Sequence, residues 1–142
     1  MATDSTISNL PTASVLLGSE YLVLDQNGTT SKISAAQLLS RGVLQVVSYA
    51  ATLSWDVTLG NIATVTLTGN TTLALPNNLQ PGSYVLLVNQ DSTGGRTMGF
   101  ATGYKWPGGF PPVLSTATNA LDILSFVSDG ITMYGSAQKA FG

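Results

Sequence analysis

The sequence contains no histidine and no cysteine, and only 8% of its 142 residues are charged. Without histidine it lacks the commonest general base and the commonest metal ligand. Without cysteine it has no disulfide, no thiolate nucleophile and no thiolate metal site. A serine nucleophile would have only lysine to activate it, and nothing in the sequence marks Lys32, Lys105 or Lys139 as buried. The acids are dispersed: Asp4, Glu20, Asp25, Asp56, Asp91, Asp122 and Asp129. Asp25, Asp91 and Asp129 stand at turns, where a carboxylate bonds its own backbone. A paired-carboxylate hydrolase needs two acids converging in a cleft. Asn89, Asp91 and Asp122 offer oxygen ligands, but without the dense spacing of a calcium loop. Gly94-Gly95-Arg96 lacks the lysine–hydroxyl ending of a phosphate loop. The expectation is a protein that is not an enzyme and carries no cofactor and no metal.

Five basic residues, Lys32, Arg41, Arg96, Lys105 and Lys139, are scattered through a chain of net charge −2. No basic patch forms, so nucleic acid is not an expected partner. No apolar run reaches the length of a membrane span, so no membrane partner is expected either. The first residues lack the basic and apolar regions of a signal peptide, which points to synthesis in a cytoplasm. Ordinary globular chains carry about 25% charged residues. Here serine and threonine take the polar role. Such a surface suits a protein that is largely covered in an assembly, because hydroxyls are easily paired and buried charge is costly.

Two sections are expected. In residues 1–42, Ile7-Ser8-Asn9-Leu10-Pro11 reads as extended. Tyr21-Leu22-Val23-Leu24 reads as a strand that turns at Asn27-Gly28 and returns over residues 29–33. Ser34 with Gln37 forms a capping-box pattern, so a helix of at most two turns is predicted over residues 34–39. This section is too small to bury a core alone.

Residues 43–142 read entirely as strand and turn. Ala63, Val65 and Leu67 alternate with Thr64, Thr66 and Thr68, the pattern of a half-buried strand with a threonine-coated face. Gly69-Asn70, Gly94-Gly95 and Asp129-Gly130 read as the turns of three hairpins, the middle one joining residues 84–88 to residues 96–100. About eight short strands bounded by turn residues predict an all-β, jelly-roll-like β-sandwich with no internal repeat. Tyr104, Trp106 and Phe110 crowd one loop. They are candidates for stacking on sugar rings, or for packing in the sandwich or against a neighbouring subunit.

Several segments carry a resemblance. They are Gly69-Asn70-Thr71-Thr72-Leu73 with Leu75-Pro76, then Pro81-Gly82. Further on come Gln90-Asp91-Ser92-Thr93-Gly94-Gly95-Arg96-Thr97 and Gly103-Tyr104-Lys105-Trp106-Pro107-Gly108-Gly109. The last are Asp122-Ile123-Leu124-Ser125-Phe126 and Ser128-Asp129-Gly130. Together, residues 55–135 resemble a module of tailed-bacteriophage virion proteins. The first section resembles segments near the start of phage appendage proteins, through Ile7-Ser8-Asn9-Leu10-Pro11 and Lys32-Ile33-Ser34. The resemblance implies a virion structural role, a first section that attaches to the particle, and homo-oligomers, with a homotrimer favoured and a dimer as the alternative. Candidate attachment residues are Ile7, Leu10, Tyr21, Leu38 and Leu39. Fibre and tailspike proteins continue into long shafts, whereas this chain ends at Gly142. The primary expectation is therefore a capsid decoration (cement) protein on the virion surface, partnered by the major capsid protein or another virion protein. The alternatives are a short head or tail fibre that binds host-surface glycan and a cellular carbohydrate-binding domain.

Overall fold

A computed structural model describes strands Tyr21–Gln26 and Thr29–Ser34 and residues 43–141. The chain divides into two compact units, Met1–Leu39 and Ser40–Gly142. In the first unit β1 (Tyr21–Gln26) pairs antiparallel with β2 (Thr29–Ser34), with Gln26 opposite Thr29. That register suits a two-residue Asn-Gly connection. Tyr21 begins β1. The predicted helix over residues 34–39 and the candidate attachment residues Ile7, Leu10, Leu38 and Leu39 lie outside the described residues.

The second unit contains β3 (Leu44–Val47), β4 (Thr52–Leu53), β5 (Ile62–Leu67), β6 (Thr71–Leu73), β7 (Pro81–Gln90) and β8 (Met98–Phe100). β9 (Tyr104–Lys105), β10 (Leu121–Asp129) and β11 (Met133–Phe141) follow. They form a six-stranded sheet ordered β3-β5-β7-β10-β11-β9 and a three-stranded sheet ordered β4-β6-β8. The architecture is all-β and sandwich-like, as expected.

The path through it differs from a series of hairpins. The chain alternates between sheets from β3 to β8, and each strand lies parallel to the one laid down a coil earlier. Leu44 pairs with Ile62 and Ile62 with Val85 in the large sheet; Leu53 pairs with Leu73 and Leu73 with Phe100 in the small one. A winding repeat is therefore present where none was expected. Only then does β10 extend the large sheet antiparallel to β7, followed by β11 antiparallel to β10.

Two predicted hairpins are corrected. Residues 71–75 do not return along residues 61–68, and residues 96–100 do not return along residues 84–88. A strand has two hydrogen-bonding edges. Those of β5 are taken by β3 and β7, and those of β7 by β5 and β10. The chain after Gly69-Asn70, and again after Gly94-Gly95, must cross to the other sheet. The Asp129-Gly130 hairpin does form, with Ser128 opposite Met133.

One core serves both sheets. Ala63, Val65 and Leu67 of β5, Leu86 and Val88 of β7, and Leu124 and Phe126 of β10 are buried together with Leu53, Leu73 and Met98 of the small sheet. Each large apolar side chain buried there stabilises the fold by about 1.5–3 kcal/mol. Thr64 and Thr66 face away from the core, as the alternation predicts.

Candidate functional site: the aromatic loop and its supports

The loop that follows β9 is built on a cluster of rings. β9 lies parallel to the start of β11, with Tyr104 beside Met133, and Met133 N donates to Gly103 O at 2.9 Å. Tyr104 is buried, and its hydroxyl donates to Ala74 O at 2.9 Å. Burial pushes that phenol above its ordinary pKa of 10. Trp106 meets Phe100 edge-on at 4.6 Å between centroids and Phe126 at 5.8 Å. The indole fits because residue 135 is glycine. A Cβ at Gly135 would stand 2.5 Å from Trp106 Cζ3 and 2.8 Å from Phe126 Cε1.

Beyond Trp106 the chain makes one tight turn over Pro107–Gly109, closed by Gly109 N donating to Trp106 O at 2.9 Å. Gly108 and Gly109 have φ of 69° and 81°, a left-handed conformation that glycine adopts without steric cost. The turn ejects Phe110, which is 82% exposed, and Val113 beyond it is 77% exposed. The three aromatic candidates thus have three placements. Tyr104 is spent in the core, Trp106 is the half-buried base of the loop, and Phe110 is its exposed tip.

Two buried polar side chains hold the segment that follows the loop, and sequence reasoning assigned neither of them that part. Gln90 closes the inward face of β7. Its Nε2 donates to Arg96 O and to Ser115 O, both at 2.9 Å, and its Oε1 accepts from Arg96 N at 2.9 Å. The side chain thereby takes up the backbone groups that a returning strand would have paired. Asp122 opens the inward face of β10. Its Oδ2 accepts from Ser115 N at 2.6 Å and its Oδ1 from Ala140 N at 2.8 Å. Ser115 is therefore held from both sides, five residues after Phe110. A signal was present in the sequence: in Leu86-Val88-Gln90 and Asp122-Leu124-Phe126 the polar member sits in phase with the core residues, and a buried polar group requires partners.

Asp91 holds the crossing after β7. Arg96 Nη2 pairs with its Oδ2 at 2.8 Å, and the amides of Gly94 and Thr93 donate to its Oδ1 at 2.8 and 3.0 Å. The Arg96 hydrogen bond, with help from those amides, holds its carboxyl below the ordinary value of 3.8. Asp129 plays the same turn role, accepting from Ile131 N and Thr132 N at 2.8 and 2.7 Å. Of the suggested calcium ligands, Asp91 and Asp122 are engaged as above, and Asn89 donates to Thr64 Oγ1 at 3.1 Å.

An open groove of about 540 Å³ adjoins the base of the loop, lined among others by Ser83, Val85, Trp106, Val127, Tyr134 and Ser136. Its lining is mostly apolar, with serine hydroxyls. Among the described residues no cluster of three acids offers a metal site.

The profile of one protein family, described as "Putative phage tail fibre C-terminal domain", matches residues 51–133, more than half of the chain. The match runs from the approach to β4 to the start of β11 and includes the whole aromatic loop. No curated protein matches the chain. A structural component of a bacteriophage particle is the class that these findings define. The chain belongs to the phage tail fibre C-terminal domain family, which associates it with the tail of the virion. The family is structural, and the match favours the fibre reading over capsid decoration, to which it lends no specific support.

Proposed function

We propose that this chain is the host-contacting module of a tail fibre, acts without catalysis, and binds host-surface glycan through the Phe110 loop. The observation that carries this reading is Phe110 itself, a phenyl ring 82% exposed at the tip of a loop whose base is locked. Trp106 is packed between Phe100 and Phe126, the glycine turn is hydrogen-bonded, and Pro111-Pro112 restrict the backbone that follows. A pre-formed apolar tip loses little conformational freedom on binding, which favours affinity. The flat ring can cover the apolar face of a sugar while neighbouring polar groups remain hydrated.

Competition with phage adsorption tests the reading. The soluble chain should block adsorption of the parent phage to host cells, and Phe110→Ala should compete about 30-fold less well, the loss typical of a binding hot spot. Because Phe110 is exposed, the substitution should change stability by no more than about 0.5 kcal/mol. If Phe110→Ala competes as well as the unsubstituted chain, the loop is not the contact. Pretreating the cells with periodate should abolish competition if the ligand is glycan and leave it intact if the ligand is protein.

A further inference from the structure

Three cations stand in residues 43–141, and two of them are engaged. Arg96 pairs with Asp91, and Lys139 donates to Val113 O at 3.1 Å. The third, Lys105, is exposed and lines the groove beside the aromatic loop, and its ammonium bonds no other described residue. The sheet register places Val127, Tyr134 and Lys105 in one row across β10, β11 and β9, and Ser125 beside Ser136 in the next. The hydroxyls of those two serines, which also line the groove, likewise bond no other described residue. Trp106, which follows Lys105, lines it too. Asp129 accepts from the Tyr134 hydroxyl at 3.3 Å and from Ile131 N and Thr132 N, and it forms no ion pair with Lys105.

We infer that this groove is a subsite for a carboxylated sugar, a uronic or sialic acid residue of the host glycan. The inference rests on the glycan reading above and adds the class of sugar. Each part of such a residue has a counterpart here. The apolar and aromatic lining suits the C–H face of a pyranose ring. Free serine hydroxyls both donate and accept, as sugar hydroxyls do. The ammonium of Lys105 supplies a charge-assisted hydrogen bond to a carboxylate, about twice as strong as a neutral one. A single cation matches a single carboxylate, whereas a nucleic acid needs several cations along its phosphates. The groove's volume of about 540 Å³ lies in the range of small-ligand sites. Phe110 does not line it, so the loop tip and the groove are separate contacts for one polymer.

The test measures binding of the full-length chain to surface polysaccharide extracted from the host, in its native form and after chemical reduction of its carboxyl groups to alcohols. The native form should bind about tenfold more tightly than the reduced form, the difference expected for one hydrogen bond to a charged group. Added salt should weaken the native form and leave the reduced form unchanged. Lys105→Met should bind both forms equally, at the level of the reduced form, and Lys105→Arg should restore the preference. Because Lys105 is exposed, neither variant should shift the thermal transition. Equal binding of the two forms by the parent chain would overturn this inference and leave the glycan reading standing. A preference for the native form that survives Lys105→Met would also overturn it, since the acid would then be read at another place. Binding of neither form would remove the glycan reading and this inference together.

Discussion

Asp122→Ala is expected to destabilise the second unit by about 2–5 kcal/mol, because it strands two hydrogen-bond donors at once. Asp122 is 2% exposed, and its two oxygens accept from Ser115 N and Ala140 N. Both hydrogen bonds are part-buried, and each group left unsatisfied there costs about 1–3 kcal/mol. The Ala140 bond carries an additional burden. The pairing of β10 with β11 slips by one residue between Leu121 and Ile123, and Ala140 sits at φ 61°, a conformation uncommon for alanine. Asp122 anchors that irregularity from across the ladder, so its loss should fray the end of β11 as well as release Ser115. Asp122→Asn should fall between alanine and the parent, since an amide retains one acceptor and turns a donor toward the other N–H. Urea unfolding checks both variants: the midpoint should drop with an unchanged slope. A loss below about 1 kcal/mol for Asp122→Ala would mean that the two amides find other partners.

Gln90→Ala should cost about 2–4 kcal/mol and, more tellingly, should be coupled to Asp122→Ala. Gln90 is 4% exposed and makes three hydrogen bonds, to the carbonyls of Arg96 and Ser115 and from the amide of Arg96. Removing it leaves the crossing after β7 without the pairing that stands in for a neighbouring strand. Gln90→Glu retains the acceptor for Arg96 N but sets a carboxylate oxygen against two carbonyls, so it should not rescue. Both side chains grip Ser115, one by its carbonyl and the other by its amide. Once either is gone the second has less to hold, and the double variant should lose less than the sum of the singles by at least about 0.5 kcal/mol. Strict additivity would show that the two grips are independent. Since Ser115 closes the segment that begins at Phe110, either variant should also weaken competition for host cells, although neither residue is exposed enough to touch a ligand.

The periodicities carried much of this fold. β5 and β10 are legible because alternation with period two is a local property, and the Asp129-Gly130 hairpin is legible because its turn and both strands are contiguous in sequence. The crossings after β5 and β7 were not legible for the opposite reason. A glycine turn between two strand-like runs looks the same whether the second run returns beside the first or leaves for another sheet. What decides is whether the edges of the first strand are already occupied, and for β5 and β7 they are taken by strands distant in sequence. The winding repeat is hidden because its coils differ in length, as the positions of Leu44, Ile62 and Val85 show, and because its equivalent positions share apolarity rather than residue type.

The candidate site divides along the same line. Three aromatics in one loop marked the region, but composition could not rank them. The ranking comes from Gly135, whose missing side chain admits the indole of Trp106, and from Ala74, whose carbonyl takes the hydroxyl of Tyr104. Both partners lie about 30 residues from the rings they receive. Phe110 is left over once those places are filled, and that is why it is exposed.

Gold-labelled antibody raised against residues 43–141 and applied to intact particles tests the central claim most directly, because tail and head positions are separated by far more than the size of the label. This account predicts gold at the distal ends of the tail fibres, in low copy number, with labelling reduced when host cells are bound. Gold distributed over the head in many copies would contradict it and return the chain to a shell-decorating role.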